Sequence, residues 1–214
     1  MNDYLTACER MVREQIVSRG ITDPGVLRAM AKVPRHLFVE SELWDHAYED
    51  HPLPIGANQT ISQPYIVALM AEALELKGME RVLEVGTGCG YAAAVLAELA
   101  AEVFSVEMVE GLALKARSVL SNLGYRNVSV RLGDGTLGWE EHAPYDVVVI
   151  SAAAPCIPRP LIEQLKSPGY LVFPMGEKEL QTLVRIRKDS AGIREEYLGD
   201  CHFVKLRGRY GWED

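Results

Sequence analysis

Residues 82–99 read VLEVGTGCGYAAAVLAEL: a short apolar strand, a turn dense in glycine, and a helix. Gly86, Gly88 and Gly90 let the backbone turn tightly and approach a ligand closely. The first backbone N–H groups of the following helix would face that ligand. The spacing is GxGxG with Tyr91 next, rather than the GxGxxG of dinucleotide-binding folds, and no GKS or GKT follows to make a P-loop. The glycines alone are also compatible with an ordinary tight turn.

The neighbouring sequence repeats this texture. EVFSVE (102–107) is a second strand, followed by a helix near 110–123, and NVSVRLGDG (127–135) is a third strand with a polar exit. YDVVVIS (145–151) is the continuous β-branched run expected of a central strand covered on both faces. A helix after Pro158 leads into GYLVFP (169–174). Strands alternating with helices imply βαβ units and a parallel sheet. The tail differs: LVRIRK (183–188), REEYLG (194–199) and HFVKL (202–206) read as antiparallel strands. Upstream, Leu5, Cys8, Met11, Val12 and Ile16 recur at helical spacing, and a second helix fits Pro24 to Lys32. HPLPIGANQTISQ (51–63) has no period and reads as a loop; Pro64 opens a helix running to about Leu76. The expected architecture is one α/β domain. It has a doubly wound core (77–176), a helical N-terminal extension with a substrate loop (1–76), and a β-rich C-terminal tail (177–214).

The 214 residues are 48% hydrophobic, enough for a real core, which excludes disorder. A net charge of −8 disfavours non-specific nucleic-acid binding and attraction to anionic membranes. No apolar run approaches the ~20 residues that span a bilayer, and the charged N-terminus does not read as a signal peptide. Cys8, Cys89, Cys156 and Cys201 are scattered without CxxC spacing, against a zinc site or a disulfide framework. These features suit a cytoplasmic protein with reduced thiols.

Two carboxylates lie at strand ends near the glycine turn. Glu107 closes the second strand, where it can accept both hydroxyls of a ribose. Asp134, in the GDG exit of the third strand, can accept from an adenine amino group. The bland readings are a solvated strand-end acid and an Asp-Gly turn. With the glycine turn, both lie at the carboxyl ends of successive strands, where open α/β sheets bind ligands. Together they suggest an adenosine-containing cofactor. This combination resembles the Rossmann-like, seven-stranded class I methyltransferases that use S-adenosylmethionine. The resemblance implies cofactor contacts from Glu84, Gly86, Thr87, Gly88, Gly90, Glu107, Met108, Asp134 and Gly135. Glu84 matches the acidic position of the motif; its bland reading is a buried strand acid with a local partner.

A second motif narrows the resemblance. LPIGANQTISQPYIVALM (53–70) resembles the signature of protein-L-isoaspartate O-methyltransferases. AMAKVPRHLFV (29–39), AYEDHPLPIG (47–56), YDVVVISAAAPCIPRPLIEQL (145–165) and FVKLRG (203–208) agree in order along nearly the whole sequence. One departure is Asn58, where the family commonly has Gly; Asn also tolerates left-handed backbone. The resemblance implies methyl transfer from S-adenosylmethionine to the free α-carboxylate of an L-isoaspartyl residue, leaving S-adenosylhomocysteine. The ester then cyclises unaided to a succinimide, which opens partly to normal aspartate, so the role is protein repair. The same resemblance implies that Ser62 first and Thr60 second carry the catalytic junction, with Gln59, Ile61 and Ser62 toward the substrate. Alternatively, Ser62 only caps the helix at Pro64. A carboxylate of reference pKa ~4 needs no general base, consistent with five histidines that read as loop or surface residues. The implied partners are isoaspartyl peptides and proteins, with no nucleic acid, no membrane, and a monomeric enzyme. Two other functions fit the fold: a methyltransferase acting on a small molecule beneath the 51–63 loop, and a non-catalytic adenosine-nucleotide sensor.

Overall fold

The N-terminal apolar stripe does form a helix. In the computed structural model, which describes residues 4–177 and 180–212, α1 (Tyr4–Met11) runs on through a π-helical turn, Val12–Ile16, and a 3-10 turn, Val17–Arg19. Cys8, Met11 and Ile16 are buried, whereas Leu5 of the expected stripe is 67% exposed. Helix α2 (Pro24–Lys32) starts where Asp23 accepts the Val26 N–H at 2.9 Å, with Pro24 at its first position.

The stretch 51–63 is not an unstructured loop. Leu53–Gly56 (β1) and Gln59–Ile61 (β2) pair as an antiparallel hairpin. Its turn is Ala57 and Asn58, at φ +50° and +55°. Two successive left-handed residues give the twist that a tight hairpin needs. Proline at 52 and 54 obscured the strand in the sequence, but Leu53 and Ile55 point inward and Pro54 outward, as a strand requires.

After α3 (Pro64–Ala73) come β3 (Arg81–Val85), α4 (Tyr91–Ala97), β4 (Glu102–Glu107), α5 (Glu110–Asn122), β5 (Val128–Leu132) and β6 (Tyr145–Ile150). Helix α6 (Arg159–Gln164) precedes β7 (Leu165–Gly176), β8 (Gln181–Asp189) and β9 (Gly192–Cys201). The seven-stranded sheet has the order β5-β4-β3-β6-β7-β8-β9, parallel from β5 to β7 and antiparallel thereafter. Alternate strand residues divide between two cores. Val82, Val103, Val147 and Val149 pack with the N-terminal helices, α3, α4 and α5. Leu83, Phe104, Val148 and Ile150 pack on the other face with Leu161 of α6. Full burial of each such apolar group stabilises the fold by about 1.5–3 kcal/mol. The backbone leaves β3 toward β4 and β5, then returns to the other side of β3 as β6. That reversal puts a topological switch point beside β3.

HFVKL is the second departure from expectation. It forms no strand of the sheet; a bridge joins Lys205 to Ala153, with Leu206 N–H donating to Ala153 C=O and Ala153 N–H to Val204 C=O, both at 2.8 Å. The segment crosses the strand ends instead of extending the sheet. None of the described helices is long and apolar enough to cross a membrane.

Candidate active site

The strands β3 and β4 end side by side, and the glycine turn lies over their ends. Gly86, Gly88 and Gly90 adopt φ +93°, +55° and +90°. Gly90 is the N-cap of α4, and a Cβ there would press on Leu120 and Ala116 of α5 at 3.2–3.3 Å. The turn therefore needs glycine both for its backbone and for helix packing. Above it lies a cavity of about 330 Å³. Its walls are Gly86–Cys89, Glu107–Val109, Gly135, the hairpin end Gln59–Ser62 and the tail Val204–Arg207.

Glu107 has two tasks in this wall. Its Oε2 accepts the Gly88 N–H and its Oε1 the Val109 N–H, each at 2.8 Å. It thus ties the glycine turn to the start of α5. An ionised carboxylate has about four lone-pair sites, so acceptor capacity remains toward the cavity.

Glu84 lies beneath the turn, outside the cavity wall. It is fully buried, accepts a hydrogen bond from Ser105 Oγ, and its Oε1 has no partner. Burial pushes its carboxyl up to about 8, against the Ser105 hydrogen bond and with help from the negative charge of Glu107. Unfolded, a glutamate ionises near ~4.3. Between that value and about 8 the folded state holds the extra proton, so stability falls as pH rises through this window. Glu84→Gln is expected to flatten that fall. The check is thermal unfolding of the ligand-free protein and variant at several pH values; parallel curves would mean that Glu84 is ionised in the fold.

Asp134 does not face the cavity. Its Oδ1 accepts the Thr136 N–H at 2.9 Å and the Thr136 hydroxyl at 2.6 Å, and its Oδ2 accepts the Arg209 N–H at 2.8 Å. Gly135 of the same turn is in the wall instead. Asp134 therefore latches the C-terminal segment across the cavity. Trp212 Nε1 adds a bond to Ala153 C=O at 2.9 Å. Gly208, at φ +127°, passes so close that a Cβ would lie 2.1 Å from Asp134 Oδ1.

Ser62 does not cap α3: the N-cap is Gln63, and that helix has no side-chain cap. Ser62 and Thr60 also line a second cavity of about 600 Å³, bounded by Arg19, Tyr65, Leu198 and His202. The two cavities share Thr60, Ser62, Ser151 and Val204. At the groove rim Arg19 lies 3.5 Å from the centre of the Tyr65 ring and pairs with Asp50 at 3.2 Å.

The structure brings together Gln59, Thr60, Ile61, Ser62, Gly86, Thr87, Gly88, Glu107, Met108 and Gly135. Glu84, Gly90 and Asp134 support the wall from behind. Reading by spacing missed Ser151, Ala152 and the tail; FVKLRG was visible only as a family-like stretch. Two histidines need correction, and one of them, His142, stacks on Phe104 at 4.3 Å. His36 is packed within an aromatic cluster: it stacks on Tyr4 at 4.3 Å, its Nδ1 lies 2.8 Å from the Tyr48 hydroxyl, and burial lowers its pKa. Cys89, inside the glycine turn, is buried, and its thiol is pushed up to about 11, so it is not a nucleophile at neutral pH.

Comparison with known proteins agrees with this geometry. A model of the family described as protein-L-isoaspartate(D-aspartate) O-methyltransferase matches residues 6–211. The chain is 57% identical over 206 residues to a protein-L-isoaspartate O-methyltransferase of Syntrophus aciditrophicus, covering 95% of this chain and 94% of that one. It is 54% identical over 213 residues to a protein-L-isoaspartate O-methyltransferase 1 of Syntrophobacter fumaroxidans, covering both proteins fully. Among solved structures, a putative protein-L-isoaspartate O-methyltransferase from Plasmodium falciparum, in complex with S-adenosyl-L-homocysteine, superposes with TM-score 0.79 at 25% identity, covering 97% of this chain and 99% of that one. With the family model spanning nearly the whole sequence and relatives above 50% identity, the chain belongs to the protein-L-isoaspartate (D-aspartate) O-methyltransferase family.

Proposed function

We propose that this chain transfers a methyl group from S-adenosylmethionine to the free α-carboxylate of L-isoaspartyl residues in peptides and proteins. The observation that carries the reading is the junction of the two cavities at Thr60 and Ser62. One cavity has the glycine turn and the acid of a nucleoside site; the other, of about 600 Å³, has room for a peptide segment. A lid over a small molecule would not need that groove.

The residues present fit the donor. Glu107 keeps acceptor capacity for ribose hydroxyls, Met108 and Gly135 offer surfaces for an adenine, and Gly86–Gly88 leave space for a methionyl group. S-adenosylmethionine, when bound, supplies an electrophilic sulfonium methyl. The protein's own residues do the rest. The substrate carboxylate is already ionised at neutral pH, so no base is needed. Ser62 Oγ donates a hydrogen bond to one carboxylate oxygen and leaves the other free for in-line attack. Thr60, on the same hairpin strand, borders the same junction. The hairpin and the latched tail limit water around the nucleophile. Asp134 acts through the tail it holds. The reading includes a monomeric enzyme of the cytoplasm, where its four free thiols would stay reduced.

The tail forms one wall of the cofactor cavity, so loosening its hold is expected to affect product release. Gly208→Ala forces a Cβ against Asp134 in a left-handed backbone, a strain of about 1–2 kcal/mol. It is expected to speed S-adenosylhomocysteine release by roughly tenfold, read by stopped-flow tryptophan fluorescence. An unchanged rate would mean that the tail does not gate release.

The reading is tested with methyl-labelled S-adenosylmethionine and two peptides that differ only in one L-isoaspartyl or L-aspartyl linkage. Base-labile label on the isoaspartyl peptide alone is expected. Donor binding without labelling of either peptide would overturn the substrate assignment.

A further inference from the structure

Arg35 is fully buried directly behind the cavity junction. Its Nε donates to Ala47 C=O and its Nη2 to Ser62 C=O, both at 2.7 Å. Its guanidinium lies 4.8 Å from the centre of the Tyr91 ring, and Nη1 has no hydrogen-bond partner. The ionisable groups that bear on it are Tyr91, Cys89 and Tyr48. Burial pushes all three upward, so they are neutral at physiological pH. Burial lowers the pKa of Arg35 as well, but a guanidinium starts so basic that it stays charged. Among the described residues, the result is a buried cation without a counter-charge. Such a charge is costly to bury, and hydrogen bonds to two neutral carbonyls do not neutralise it.

We propose that Arg35 is a positioning residue for methyl transfer: it clamps the Ser62 peptide, and its uncompensated charge is the counter-charge for the substrate carboxylate. The inference rests on the assignment of the isoaspartyl carboxylate to Ser62. The guanidinium stands behind the Ser62 carbonyl, so it attracts the anion without hydrogen-bonding the attacking oxygen. A direct Arg–carboxylate pair would hold the lone pairs that must reach the methyl group. Methylation turns the anion into a neutral ester, so the attraction ends with the reaction and favours product release. Because the charge is buried, salt screens it weakly.

The test uses the full-length protein saturated with S-adenosylhomocysteine and three peptides. One carries the L-isoaspartyl residue, one the same residue as its α-carboxamide, and one a normal aspartyl linkage. Wild type is expected to prefer the carboxylate over the carboxamide by at least about tenfold. Arg35→Met is expected to reduce that preference to roughly threefold or less while S-adenosylhomocysteine affinity holds. Arg35→Lys keeps the charge but weakens the clamp, so it is expected to keep the preference in these titrations and to lose kcat in a separate turnover assay with S-adenosylmethionine. Retained preference in Arg35→Met overturns the proposal. If that variant does not fold, wild type and Arg35→Lys decide: equal binding of carboxylate and carboxamide by wild type, or loss of preference with Lys, overturns it. Failure of the site assignment looks different. Wild type would then bind the isoaspartyl and aspartyl peptides alike.

Discussion

Ser62→Ala is expected to lower kcat by roughly 100-fold, the order of loss when a group that aligns two reacting atoms is removed. Affinity for S-adenosylmethionine is expected to stay within about threefold, because the donor's other walls are untouched. The structural cost is small: Ser62 caps no helix, and its backbone carbonyl still accepts from Arg35. The loss therefore reports on chemistry. Single-turnover methyl transfer with calorimetry of S-adenosylhomocysteine binding separates the two quantities. Full activity in the variant would leave the hydroxyl without a role, and the attack geometry would rest on the backbone alone.

Glu107→Ala is expected to weaken S-adenosylmethionine binding by about 100-fold or more, about 3 kcal/mol. Two losses combine. Any ribose hydroxyls lose a charged acceptor, and hydrogen bonds to charged groups contribute ~1.5–3 kcal/mol each. The Gly88 and Val109 N–H groups also lose their partner, so the glycine turn loosens. Comparing S-adenosylhomocysteine with its 2′-deoxy analogue divides these parts. If Glu107 holds the ribose, wild type discriminates between the two ligands and the variant does not. Discrimination that survives in the variant would reduce Glu107 to a brace for the turn.

The α/β core was legible because its signals are local. β4 occupies the expected 102–107, and the continuous run of β6 is buried on both faces, as its composition required. The glycine turn announced itself because few residues other than glycine take its backbone. What spacing did not reveal is set by tertiary contacts. The hairpin at 53–61 was hidden by prolines whose positions matter only once the strand has an inside and an outside. HFVKL has a strand's composition, but its partners are the ends of other strands, and sequence does not say where a segment crosses. Asp134, in the GDG exit of β5, reads as an acceptor for an adenine amino group. Its carboxylate is instead taken up by Thr136 and by Arg209, 75 residues away. Arg35 stands between Lys32 and His36 in the sequence, and only burial distinguishes it from a surface cation.

The most direct test is a structure of the protein with S-adenosylhomocysteine and a peptide carrying one L-isoaspartyl residue. The account requires the peptide in the groove beside Tyr65 and Leu198, with its α-carboxylate hydrogen-bonded to Ser62 and one oxygen facing the cofactor sulfur. A carboxylate held elsewhere, for instance by Lys205 or Arg207 of the tail, would contradict it.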